Sequence, residues 1–63
     1  MITVKIKICG ITSVEDAQMA VDFGADILGF NFYSKSPRYI DPRKAMQIIK
    51  TLPSHVDTAG IFV

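Results

Sequence analysis

Cysteine and histidine occur once each, at Cys9 and His55. A single thiol builds no disulfide framework within one chain, and one Cys with one His falls short of a zinc ligand set. Neither sign of charge is in excess: seven Lys and Arg against six Asp and Glu leave a formal charge of +1. The chain therefore has neither the basic stripe of a nucleic-acid binder nor an acidic tail. No uninterrupted apolar run approaches the roughly 18 residues of a membrane span. Lysines also interrupt the N-terminal stretch Val4-Lys5-Ile6-Lys7-Ile8, so neither a signal peptide nor a transmembrane helix is expected. A lone thiol without a leader fits a reducing, cytoplasmic setting.

What is present is enough apolar material for a core, but little chain to build it. Apolar residues make up 49% and charged ones 21% of 63 residues, which excludes intrinsic disorder. The length is below that of one ordinary domain of roughly 100 to 200 residues. A chain this small buries only about 60% of its unfolded surface, and such chains usually lean on disulfides, a metal or a partner. With the first two excluded, a covering partner is expected.

Periodicity divides the chain into five segments. Val4, Ile6 and Ile8 alternate with Lys5, Lys7 and Cys9, predicting a strand over residues 3 to 9. Gly10 breaks it, and Thr12-Ser13-Val14-Glu15 offers a Thr-x-x-Glu capping box for a helix that starts near Ser13. Val14, Ala17, Ala20 and Val21 form the expected buried stripe, and Gly24 stands at a left-handed C-terminal cap. Residues 26 to 32 are apolar at nearly every position, as in a parallel strand covered on both faces. A polar loop from Tyr33 to Ile40 leads to Asp41-Pro42, a helix cap followed by proline in the first turn. Ala45, Ile48, Ile49 and Leu52 then mark a second helix stopped by Pro53, and residues 57 to 63 read as a third strand in which the sequence ends.

The order β-α-β-α-β has no hairpin-length connection, so an α/β fold with a parallel sheet and right-handed crossovers is expected. Both helices then lie on one face and leave the other bare. A doubly wound fold and a closed barrel both cover that face with more chain. Cys9-Gly10-Ile11-Thr12 lacks the Gly-x-Gly-x-x-Gly turn of a dinucleotide fold. Lys5, Lys7 and Cys9 share a face that would look into a barrel. The preferred reading is an incomplete (β/α)8 TIM barrel, with residues 1 to 63 as the N-terminal part of a single domain.

Two residues stand where α/β folds gather their chemistry. Cys9 ends the first strand before a glycine turn and a helix N-terminus, a setting for a nucleophile or general base; the competing reading is a small buried hydrophobe. Arg38 lies in the second βα loop beside Ser34, Lys35 and Ser36. Its guanidinium matches a carboxylate or phosphate, against the alternative of a solvated loop charge. Lys7 reads as a structural ion pair rather than a Schiff-base lysine. Asp26, His55 and Asp57 fall at strand starts, the opposite edge, and receive no chemistry, while Met19, Met46 and the four Phe residues read as packing.

Lys7-Ile8-Cys9-Gly10-Ile11-Thr12, Glu15-Asp16-Ala17, Gly24-Ala25-Asp26, Gly29-Phe30, Ser36-Pro37-Arg38-Tyr39-Ile40 and Gly60-Ile61-Phe62-Val63 together resemble the N-terminal third of the phosphoribosylanthranilate isomerase family of tryptophan biosynthesis. That resemblance implies a (β/α)8 barrel and an Amadori rearrangement of N-(5'-phosphoribosyl)anthranilate, with no cofactor and no metal. It implies that Cys9 is the base that takes the C2 proton and that Arg38 engages the anthranilate carboxylate. The family's acidic Asp and phosphate loops fall on later strands, and Asp16, Asp22, Asp26 and Asp57 cannot replace that acid. The 63 residues alone are therefore expected to be inactive, with a phosphorylated anionic substrate and no nucleic acid or membrane partner for the complete enzyme. The competing expectations are a non-catalytic, self-assembling βα subdomain and another phosphate-binding barrel enzyme.

Overall fold

The computed structural model describes residues 4–62. Thr3 at the head of the expected first strand and Val63 at the tail of the third lie outside the described residues. The chain runs β1 (Lys7–Ile8), α1 (Val14–Phe23), β2 (Ile27–Asn31), α2 (Pro42–Ile49) and β3 (Asp57–Ile61). The three strands form one parallel sheet in the order β1-β2-β3. Lys7 is paired with Ile27, and Ile27 with Asp57.

Leu28 and Phe30 of β2, Ala17 and Ala20 of α1, and Ala45 and Ile48 of α2 belong to one buried cluster. Both helices thus contribute to a core built on a single face of the central strand. Residues of the other parity are less covered: Lys7, Asp57 and Ile61 are exposed, Ile27, Asn31 and Ala59 are half-buried, and Gly29 is the buried exception. Among the described residues no helix is long and apolar enough to cross a membrane.

Several expected boundaries shift, each for a local reason. β1 spans two residues rather than seven, because its neighbour begins only at Ile27, opposite Lys7. Upstream of that pair the Asp26 and Ile27 N–H groups both donate to the Ile6 carbonyl, at 2.8 and 3.1 Å. The Ile6 N–H donates in turn to the Asp26 carboxylate at 2.8 Å. Asp26 therefore closes the start of the sheet. The α1 cap is Ser13 rather than Thr12: Ser13 has extended dihedrals and its hydroxyl accepts the Asp16 N–H. The Thr12 hydroxyl donates instead to the Asp16 carboxylate at 3.0 Å.

Val14 leaves the expected α1 stripe; it is 45% exposed and lines a shallow hollow of about 260 Å³ beside Lys44 and Gln47 of α2. Gly24 caps α1 in the left-handed region at φ 106°. Asp41 caps α2, with its carboxylate accepting the Arg43 N–H at 2.8 Å. That helix ends at Ile49, before Pro53 is reached, because Thr51 takes the Ile48 carbonyl with both its N–H and its hydroxyl. Of the side chains expected to pack, Phe30 is buried and Phe32 half-buried, whereas Met19, Phe23, Met46 and Phe62 are exposed.

Candidate functional site

Parallel strands deliver their C-terminal ends, and the loops that follow, to one edge of the sheet. Cys9 stands at that edge, one residue past β1, with an exposed free thiol. It continues the ladder of Lys7 with Ile27 and Ile8 with Leu28, and so lies beside Gly29. Gly10 then turns the chain at φ 81°, the left-handed region that favours glycine. The Gly10 and Ile11 N–H groups both donate to the Gly29 carbonyl, at 3.1 Å each. Ile11 is buried, so the turn is pinned from the core as well.

Arg38 is carried by a loop that holds itself. The Asn31 amide oxygen accepts the Tyr33 N–H at 2.9 Å. The Ser36 N–H donates to the Tyr33 carbonyl at 2.9 Å, and the Ser36 hydroxyl accepts the Arg38 N–H at 3.1 Å. The loop then returns to the sheet, where the Ile40 N–H donates to the Asn31 carbonyl at 2.9 Å and Ile40 is buried. Arg38 is thus the exposed residue two positions before a fixed anchor. Its side chain lies over Gly10: a Cβ built on Gly10 would meet the Arg38 Cδ at 2.9 Å and Nη1 at 3.0 Å.

Cys9 and Arg38 line one open hollow of about 460 Å³, together with Ile8, Gly10 and, from α1, Asp16, Met19 and Phe23. A thiolate can take a proton there, and a guanidinium can orient an anion. Cys9 is exposed in this chain, on a sheet whose other face carries no cover here. Lys7 is exposed on the face left bare by the two helices. Asp57 opens β3 and Asp26 closes the sheet's start, both at the opposite edge. Asp16, not expected to supply the acid, lines the hollow, and its carboxylate accepts the Thr12 hydroxyl. Among the described residues no group of His, Cys, Asp and Glu could hold a metal ion.

Sequence reasoning read Gly10 as the turn after the first strand but missed Gly29, Asn31 and Ser36 as supports of this site. The signals for two of them were present, in an Asn and a Ser placed two residues before a turn amide. Gly29 left no such signal, because its role depends on the register of the sheet.

No family model matches the sequence. The chain is 65% identical, over 95% of its own length, to N-(5'-phosphoribosyl)anthranilate isomerase of Chloroherpeton thalassium, of which it covers 27%. It is 61% identical over 94% of its length to the protein of the same name from Geobacter sp. strain M21, covering 29% of that relative. Among solved structures, phosphoribosyl anthranilate isomerase from Thermotoga maritima superposes with a TM-score of 0.92 at 52% identity, over 97% of this chain and 30% of that one. A second structure of phosphoribosyl anthranilate isomerase, in complex with reduced 1-(o-carboxyphenylamino)-1-deoxyribulose 5-phosphate, superposes with a TM-score of 0.91 at 52% identity over 95% of this chain and 31% of that one. The chain spans about 30% of the length of the relatives it matches. Its sequence and its β-α-β-α-β fold are similar to about 30% of the length of phosphoribosylanthranilate isomerases, whose fold is the TIM barrel.

Proposed function

We propose that this chain serves as the first three strands of the single barrel domain of a cytoplasmic phosphoribosylanthranilate isomerase in tryptophan biosynthesis, and that it contributes the general base and one substrate contact. The observation that supports this most is that Cys9 and Arg38, from different loops, line the same hollow. The reaction is the Amadori rearrangement of N-(5'-phosphoribosyl)anthranilate to the carboxyphenylamino-deoxyribulose phosphate. An acid supplied by the rest of the barrel protonates the ribose ring oxygen, and the ring opens to a Schiff base. The Cys9 thiolate then removes the C2 proton, giving an enolamine that tautomerises. The net change is an isomerisation, so no cofactor enters or leaves. Arg38 pairs with the anthranilate carboxylate and holds the substrate with C2 toward the thiol.

The acid and the phosphate-binding loops belong to strands beyond these 63 residues, so the chain alone does not turn over. The bare face of its sheet takes the rest of the barrel or a self-association partner as its cover. The test uses a graft in which this chain replaces the matching segment of the Chloroherpeton thalassium isomerase. Cys9→Ser in that graft is expected to lower kcat by about 10²- to 10⁴-fold, the range of a general base, with KM nearly unchanged. An unchanged kcat would remove Cys9 from the chemistry.

A further inference from the structure

The middle of β2 holds a residue that a strand does not favour. Gly29 is buried, and glycine both weakens a strand and packs nothing. Its backbone does not call for glycine either, since the positive-φ glycines among the described residues are Gly10 and Gly24. One neighbour crowds the place of a side chain there. A Cβ built on Gly29 lies 3.2 Å from the Cys9 Cα, 3.2 Å from its Sγ and 3.4 Å from its Cβ. All three nearest atoms belong to the same residue. The Gly29 carbonyl meanwhile receives the N–H groups of Gly10 and Ile11, the two residues that follow the thiol.

We propose that Gly29 is a positioning residue for Cys9: its bare Cα makes room for the thiol over the face of the sheet, and its carbonyl fixes the turn that leads away from it. The proposal rests on the reading of Cys9 as the base. Alanine at residue 29 brings a methyl group against the Sγ and the Cα, and Cys9 must give by a few tenths of an ångström. Proton abstraction is sensitive to such shifts, since a misplacement of about 1 Å can cost about 100-fold in rate.

The experiment is a double-mutant cycle in the grafted enzyme, with Cys9→Ser, Gly29→Ala and the two combined. Gly29→Ala is expected to lower kcat about tenfold, with KM within about twofold. In the Cys9→Ser background the same change is expected to leave the residual rate where it was, because that rate no longer passes through the thiol. Equal fold-losses in both backgrounds, or no loss in either, would overturn the positioning role while leaving Cys9 as the base. An unchanged kcat in Cys9→Ser alone would instead overturn the reading on which the proposal rests. Should Gly29→Ala melt too low for kinetics, its melting temperature is compared with and without a Cys9→Ala change. A smaller drop in the Cys9→Ala background supports the contact, and an equal drop refutes it.

Discussion

The two βα loops bring their residues to one hollow by opposite means. The first loop is short and borrows its shape: both of its leading N–H groups end on the carbonyl of a residue in the next strand. The second loop is longer and folds on its own side chains, with Asn31 and Ser36 each accepting a loop N–H before Ile40 docks. The position of Cys9 is consequently a property of β2, whereas that of Arg38 is a property of its own loop. The two meet at Gly10, which belongs to the first loop and supports the side chain carried by the second.

This contrast can be tested by variants of the graft. The largest expected effect is the loss of kcat in Cys9→Ser described above, about 10²- to 10⁴-fold, measured by steady-state turnover. Arg38→Ala follows, with KM raised about 10- to 100-fold and kcat little changed, the cost of a charge-assisted hydrogen bond to the substrate. Gly10→Ala probes the junction: a left-handed φ costs a side chain about 1 to 2 kcal/mol, and the new methyl group displaces Arg38. A lower melting temperature and a KM raised several-fold are expected together, and a change in kcat alone would break the division between the loops.

Smaller effects separate the loops further. Asn31→Ala removes the acceptor of the Tyr33 N–H and is expected to destabilise the graft by about 1 kcal/mol in denaturant titration. Its kinetic signature falls on KM rather than kcat, because Arg38 is the group set loose. Ser13→Ala removes the α1 cap, with about 1 kcal/mol lost on average. That helix follows the first loop after the turn is already pinned to Gly29, so both kinetic constants are expected to hold.

The sequence carried the element order and both helix starts, because caps and apolar spacing are local. Asp41-Pro42 and Gly24 each act within a few residues of themselves, and the structure has them where their chemistry puts them. It did not carry what depends on a neighbour in space. The alternation from Val4 to Cys9 is that of a long strand, yet β1 is two residues because Ile27 is where its partner begins. The Thr-x-x-Glu pattern points to Thr12 as the cap, yet the backbone dihedrals and the Asp16 N–H make it Ser13. Cys9 and Arg38 were legible as candidates placed after the first and second strands. Their common hollow was legible only as a consequence of parallel strands, and the fit of Gly29 under Cys9 was not legible at all.

A crystal structure of the graft with the reduced product analogue, the ligand carried by one of the isomerase structures, tests the central claim most directly. The account predicts the Cys9 Sγ within about 3.5 Å of the ligand's C2 and the Arg38 guanidinium paired with its carboxylate. A ligand that one of these groups touches and the other does not reach would contradict it.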